Sequence, residues 1–333
     1  MTSPQAHAPR LRIVVMGTGP FAVPMFRALL ESGLEIPALV TRPDRAAPGR
    51  RAPENPMRAV AESAGVPVLA PERVNAPEAV AEIRSLSPDL LVVCDYGQIL
   101  SPELLAVAPL GGINLHGSLL PRHRGAAPVQ WAILSGDAES GACVIHMTPQ
   151  LDGGGVIVSK ATPIGARETA SQLEARLAAF GPELVMAAIG ELTRPDRPAG
   201  PCGTPQDQAL VTKAPRFTKA DGLVDWTKPA AWIARMPRAL DPWPRAATFL
   251  HASAEAKPVR LVLEAIDVGA HPAPADAPPG AILSAGDAGL VVACGDGGTV
   301  TVTRVVPEGK SSMAVADFLR GRLLGQGARM ESR

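Results

Sequence analysis

Residues Leu11 to Ser32 read LRIVVMGTGPFAVPMFRALLES. Leu11–Met16 is a short apolar run, and it stops at Gly17-Thr18-Gly19-Pro20, a cluster that suits a turn and not the interior of a helix or strand. From Ala22 to Ser32 the apolar residues recur at helical spacing. The stretch therefore reads as strand, tight turn and helix. Its neighbours repeat the pattern: Ile36–Val40 as strand, Arg58–Ala64 as helix, Val66–Leu69 as strand, Pro77–Ser85 as helix, and Leu90–Cys94 (LLVVC) as a strand apolar on both faces. Such alternation predicts an α/β fold with a doubly wound, mostly parallel sheet of Rossmann type.

Ile113–Leu115 and Cys143–Met147 add short strands, and Ala170–Leu192 reads as one long helix closing the domain. Thr193–Pro205 (TRPDRPAGPCGTP) is rich in Pro and Gly and reads as a linker. Beyond it, Val259–Leu263, Leu290–Cys294 and Thr299–Val306 are short β-type runs separated by Gly-rich turns, which predicts a small C-terminal β-barrel, OB-like. The expected organisation is a disordered tail over 1–10, a catalytic domain over 11–192, a linker over 193–205 and a barrel over 206–333.

Composition narrows the class. A chain of 333 residues, 46% hydrophobic and 19% charged, is long enough for two ordinary globular domains. It holds no apolar run of about 18 residues, which excludes a helical membrane span, and Met1–Arg10 lacks the apolar stretch of a secretory signal, so the expected setting is the cytoplasm. Cys94, Cys143, Cys202 and Cys294 are too far apart for a CxxC zinc or redox motif and read as reduced thiols. No histidine has HExxH spacing, and no metal is expected. The formal charge is +0, from 32 basic and 32 acidic side chains, which argues against a surface coated for non-specific nucleic-acid binding. The charge is nevertheless segregated: Arg42–Arg58 holds five arginines against two acids, and Asp207–Arg260 holds nine basic side chains against five acids. A polyanion has two basic segments on which to dock.

Gly17-Thr18-Gly19-Pro20-Phe21-Ala22 fits the loose G-x-G-x-x-A form of a dinucleotide turn, but the second strand ends Val40-Thr41-Arg42 without the acid that would hold a ribose. A tight turn with no dinucleotide is the preferred reading. The chemistry is better sought in Ile113–Gln130, INLHGSLLPRHRGAAPVQ. Asn114 and His116 alternate with Ile113 and Leu115, so on a strand they share one face and address one substrate atom. Ser118-Leu119-Leu120-Pro121 follows as a turn suited to lining a flat heterocycle, with Pro121 fixing the bend. Asp152 lies in the Gly-rich Leu151–Gly155, where its carboxylate is free to swing toward the same place.

The pattern N-x-H-x-S-L-L-P-x-x-R-G-A-A-P followed by Leu151-Asp152-Gly153-Gly154 resembles the folate-dependent formyltransferases. The resemblance runs through the whole chain. Met16–Pro24 (MGTGPFAVP) is similar to that family's MGTPxFAVP, Thr41–Arg45 (TRPDR) to the start of a tRNA-contacting loop, and Asp95–Leu100 (DYGQIL) to AYGxIL, with Asp95 in place of the alanine. Ala214–Lys219, Asp221–Trp226 and Asp241–Pro244 resemble APKxxKxDGxIDW and NPWP. The resemblance implies that Asn114, His116 and Asp152 form the formyl-transfer triad and that Ser118, Leu119, Leu120 and Pro121 touch the folate. It implies 10-formyltetrahydrofolate as formyl donor and co-substrate, and the α-amino group of initiator methionyl-tRNA as acceptor. With the two basic segments, it implies tRNA contacts from Arg42, Arg45, Arg50, Arg51, Lys213, Lys219 and Arg238, in a protein expected to be a monomer. In that chemistry the Asn114 amide and a protonated His116 supply donors to the developing oxyanion, and Asp152 orients and balances His116. An amino-sugar nucleotide is the alternative acceptor, although a nucleotide sugar needs only a compact pocket and leaves the basic segments unexplained. An RNA-binding module without catalysis is the non-enzymatic alternative, and it leaves the triad without purpose.

Overall fold

The first strand, β1 (Ile13–Gly17), is apolar at every position before its terminal glycine and is buried throughout. In the computed structural model, which describes residues 10–44, 54–197 and 200–332, Pro20 then opens a single 3-10 turn over Pro20–Ala22 that runs into α1 (Val23–Glu31). Helix α1 turns Met25, Phe26 and Leu29 inward. The chain continues through β2 (Leu39–Val40), α2 (Pro56–Ser63), β3 (Val68–Leu69), α3 (Pro77–Ser85), β4 (Leu90–Cys94), α4 (Pro102–Leu105) and β5 (Gly112–His116). Helix α2 starts where it does because Asn55 accepts hydrogen bonds from the backbone N–H groups of Met57 and Arg58, 3.1 Å each, ahead of a proline that needs no acceptor. Next come β6 (Arg124–Gly125), α5 (Pro128–Ser135), β7 (Glu139–His146), β8 (Val156–Pro163), α6 (Ala170–Ala178), α7 (Gly181–Leu192) and β9 (Lys213–Ala214).

The sheet has the order β3-β2-β1-β4-β5-β7-β8. Its pairs from β3 to β5 are parallel, and β7 and β8 join antiparallel. The order reverses between β1 and β4, so the loops that leave these two strands part and open a crevice at their carboxyl ends. Strand β5 lies inside the sheet, hydrogen-bonded to β4 on one edge and β7 on the other. Whatever projects from the end of β5 is therefore held on both sides.

Several expectations change. The helix read over Ala170–Leu192 is two helices, because Pro182 lacks an N–H and cannot continue a helix from the preceding turn; it sits instead in the first turn of α7, where no donor is required. The segment read as a linker, Thr193–Pro205, is not free of the first domain. Thr204 exchanges backbone hydrogen bonds with Val156 (2.8 and 2.9 Å), and β9 pairs in parallel with β6. Proline and glycine exclude a helix or an interior strand, but they permit isolated pairing at an edge.

The described residues accordingly form two units. The first takes the chain up to 128, with 139–163 and 174–215; the second takes 129–138, 164–173 and the chain from 216 onward. Gln206 to Pro215, expected in the barrel, belong to the first unit. The second unit adds α8 (Ala230–Ala239), β10 (Ala247–His251), β11 (Val259–Val268), β12 (Ile282–Gly286), β13 (Gly289–Ala293), β14 (Thr299–Pro307), β15 (Met313–Ala314), α9 (Val315–Leu319) and β16 (Arg329–Glu331). Its sheet is antiparallel in the order β12-β13-β14-β11-β10-β16, with β15 on β14. An Ala281–Arg329 bridge links the two ends of that order and nearly closes the sheet into a barrel. Inside it the buried Trp226 Nε1 donates to Thr248 Oγ1 (3.0 Å), which donates to the Glu331 carbonyl (2.8 Å), so the indole is buried without an orphaned N–H.

Candidate functional site

Asn114 and His116 leave the same face of β5, two residues apart. Asn114 is half-buried, whereas His116 is 6% exposed, and its ring is fixed from one side. The Nε2 atom lies 3.0 Å from the His123 carbonyl oxygen. A carbonyl only accepts, so Nε2 carries a hydrogen and donates it, and Nδ1 is the nitrogen left for chemistry. Nδ1 faces the Asp152 Oδ2 atom at 3.8 Å, beyond a direct hydrogen bond. The orientation of His116 thus comes from a backbone carbonyl and not from Asp152, as the sequence reading had it.

Asp152 does not swing. It sits in the loop between β7 and β8 with φ +48°, and its Oδ2 accepts the Gly125 N–H at 2.9 Å. Gln206 Nε2 donates to the carbonyls of Asp152 and Gly154, 2.7 Å each. Gly154, one of the glycines that suggested mobility, serves close packing, since a Cβ on it would fall 1.6 Å from the His146 carbonyl oxygen; Gly125, on the other side of the contact, has φ +134° with the Ala214 oxygen 2.3 Å from where its Cβ would be. Gly154→Ala is therefore expected to displace the loop, costing on the order of 2 kcal/mol or more in stability and lowering activity with it. Thermal melts and initial rates check this; wild-type values for both would show that the loop accommodates the methyl group.

The Ser118–Arg122 turn follows β5. Ser118 is fully buried, and its hydroxyl donates to the Arg122 carbonyl (2.7 Å), so it closes the turn instead of reaching outward. Leu119 packs against the position of Gly141 on β7, where an added Cβ would meet it at 2.5 Å. Leu120 and Pro121, joined by a cis peptide bond, are half-buried. Cys143, paired with His116 across the strands, has its thiol pushed up to about 12, chiefly by burial and also by the charge of Asp152.

The switch-point turn carries a carboxylate. Asp95, at φ +48° after β4, lies over Gly19 so closely that a Cβ there would be 1.6 Å from its Oδ2. It also pushes up the half-buried Glu174, second to the effect of burial itself. A pyrophosphate approaching Gly19 would meet that negative charge.

The candidate tRNA contacts fall in both units. Arg42 donates from Nη1 to the Gly97 carbonyl (3.1 Å), which ties it to the loop after β4. Arg45, Arg50 and Arg51 lie outside the described residues. Lys213 is exposed on β9 in the first unit; Lys219 is exposed and Arg238 half-buried in the second, where Arg238 donates to the Glu168 carbonyl (3.3 Å) and burial lowers its pKa. Among the described residues no group of three or more His, Cys, Asp or Glu is placed to hold a metal, and no helix is long and apolar enough to cross a membrane. Gln206, Arg124 and Thr212, which brace the site, were not found by sequence periodicity, because their partners lie 52 to 89 residues away.

Comparison with known proteins shows the family. Residues 11–189 match the family described as formyl transferase, and residues 216–323 match formyl transferase, C-terminal domain. A methionyl-tRNA formyltransferase of Rhodopirellula baltica is 45% identical over 334 residues, covering 98% of each chain. One of Akkermansia muciniphila is 42% identical, covering 93% of this chain and 96% of its own. Among solved structures, the sugar 3N-formyl transferase WlaRD has a TM-score of 0.62 at 13% identity, over 91% of this chain and all (100%) of that one. HypX from Aquifex aeolicus, in complex with tetrahydrofolic acid, has a TM-score of 0.55 at 17% identity, over 93% of this chain and 47% of HypX. At such identities the two structures show a shared fold.

Proposed function

The chain belongs to the formyl transferase family, and from that membership we propose that it transfers the formyl group of 10-formyltetrahydrofolate to the α-amino group of initiator methionyl-tRNA, yielding formylmethionyl-tRNA. The observation that carries the chemistry is His116 with Nε2 committed to a carbonyl and Nδ1 directed at Asp152, on the strand face it shares with Asn114. The relatives with 45% and 42% identity over nearly the whole chain support the tRNA acceptor over an amino-sugar nucleotide, to which only the shared fold points.

Asn114 donates its amide hydrogen to the formyl oxygen as that oxygen gains charge, which favours the transition state over the neutral carbonyl. His116 takes one proton at Nδ1 from the amine nitrogen as that nitrogen bonds to the formyl carbon. The resulting imidazolium is a second donor beside the oxyanion, and the Asp152 carboxylate stabilises it. His116 then returns the proton to N10 as the bond between N10 and the formyl carbon breaks. The amine has lost one hydrogen and N10 has gained one, with no redox change. Leu120, Pro121 and the backbone of the Ser118–Arg122 turn supply the flat wall for the donor's ring system.

Positioning of the acceptor falls to the basic segments, with Arg42, Arg45, Arg50, Arg51 and Lys213 contributed by the first unit and Lys219 and Arg238 by the second. The working form is a monomer in the cytoplasm. Arg50→Ala with Arg51→Ala is expected to weaken tRNA binding and to flatten its log-log salt dependence by up to about 1.8, the slope for two duplex phosphate contacts. Folate binding should barely change. A salt titration that leaves the tRNA Kd and its slope at wild-type values would remove these two arginines from the interface. The transfer itself is tested with 10-formyltetrahydrofolate and charged initiator tRNA: formylmethionyl-tRNA and tetrahydrofolate should appear in equal amounts, and tetrahydrofolate released without formylated tRNA would overturn the proposal.

A further inference from the structure

Gln206 lies between the two segments that match the family, after the Pro- and Gly-rich stretch, and it is 9% exposed. Its side-chain amide has two hydrogens and two acceptor directions, and all four are used. Nε2 donates to the Asp152 and Gly154 carbonyls, 2.7 Å each, and Oε1 accepts from Arg124 Nε at 3.0 Å and Nη2 at 2.7 Å. Because the guanidinium only donates and the carbonyls only accept, the amide has one permitted orientation. Arg124 is itself 8% exposed, so this network is buried and each lost bond would leave an orphaned polar group.

The network closes on the site. Arg124 precedes Gly125, whose N–H holds Asp152 Oδ2 at 2.9 Å. Asp152 is thereby tied twice to the dipeptide Arg124-Gly125, through its carboxylate directly and through its main chain by way of Gln206. The dipeptide is held in turn by Thr212, whose Oγ1 accepts the His123 N–H (2.8 Å) and whose carbonyl accepts the Arg124 N–H (2.9 Å). His123 carries the carbonyl that fixes His116 Nε2. One brace from residues 206–212 therefore sets both members of the 3.8 Å pair between His116 Nδ1 and Asp152 Oδ2. The backbone of Asp152 is left-handed, at φ +48°, a conformation less favourable than the right-handed one even for aspartate.

We infer that Gln206 is a positioning residue for formyl transfer: clamped by Arg124, it fixes the Asp152 loop so that the carboxylate stands beside His116 Nδ1. The inference rests on the proposed formyl transfer. Gln206→Glu keeps the length of the side chain and its acceptance from Arg124 but removes both donors and places an oxygen against two carbonyls; Gln206→Met removes the polar group at similar volume. Both are expected to lower kcat by about 10- to 100-fold, the scale set by small misplacements of reacting groups, with KM for donor and tRNA within about twofold of wild type. The distinguishing readout is a single-turnover cycle with Asp152→Asn. If Gln206 acts through Asp152, adding Gln206→Glu to Asp152→Asn lowers the rate by no more than about twofold further. Wild-type kcat in either folded variant, a change confined to KM, or a full multiplicative loss on the Asp152→Asn background would overturn the inference. Should Gln206→Glu fail to fold, Gln206→Met is put through the same cycle. If His116→Ala and Asp152→Asn themselves retain wild-type transfer, it is the underlying catalytic reading that fails; if they lose it while the Gln206 variants do not, only the positioning role fails.

Discussion

His116→Ala is expected to reduce the single-turnover rate of formyl transfer by about 100-fold or more, while binding of donor and tRNA stays close to wild type. The expectation follows from the commitment of Nε2 to the His123 carbonyl, which leaves Nδ1 as the nitrogen that accepts the amine proton and returns it to N10. Alanine removes the proton carrier and one of the two donors to the oxyanion. It also removes the hydrogen bond from His116 Nε2 to the His123 carbonyl in a buried turn, which should lower Tm by the worth of about one hydrogen bond without preventing folding. The rate loss should exceed what the fraction unfolded explains. A folded variant retaining more than about a tenth of the wild-type rate would contradict the role.

Asp152→Asn should produce a comparable loss, about 100-fold or more in kcat, with a much smaller effect on stability. Asparagine has the same shape, its Oδ1 still accepts the Gly125 N–H, and the bonds that Gln206 makes to the main chain of Asp152 and Gly154 are untouched. What disappears is the negative charge facing His116 Nδ1 at 3.8 Å, at the moment when the imidazole takes up a proton. Kinetics of the purified variant beside its thermal melt separate the two effects. A variant with normal kcat would show that the carboxylate serves only to hold the loop.

The parts of this account legible in the sequence are those governed by local periodicity. The apolar runs of β1 and β4 gave a parallel sheet because such strands are buried on both faces, and the alternation around Asn114 and His116 put both on one face of β5. The barrel likewise followed from short strands between glycine turns, although β11 and β14 are longer than the runs that announced them. Contacts set by tertiary structure were not legible. Composition marked 193–205 as a linker, yet Thr204, Gln206 and Thr212 return to the site through partners 48 to 89 residues away, which no window of sequence displays. The glycines after Asp152 suggested mobility, whereas Gly154 admits the His146 carbonyl and the loop is pinned. Arg42 reads as part of a basic loop but bonds the Gly97 carbonyl, a choice made by the packing of the turns after β2 and β4.

The central claim is tested most directly by a single-turnover acceptor competition. Purified protein with 10-formyltetrahydrofolate is offered charged initiator tRNA and amino-sugar nucleotides together, and the formylated products are separated and counted for wild type and His116→Ala. The account predicts formyl on the methionyl amine of the tRNA, none above background on the sugar amines, and loss of the tRNA product in the His116→Ala variant. Formyl on a sugar amine with the tRNA unmodified, or a tRNA product that survives His116→Ala at the wild-type rate, would contradict it.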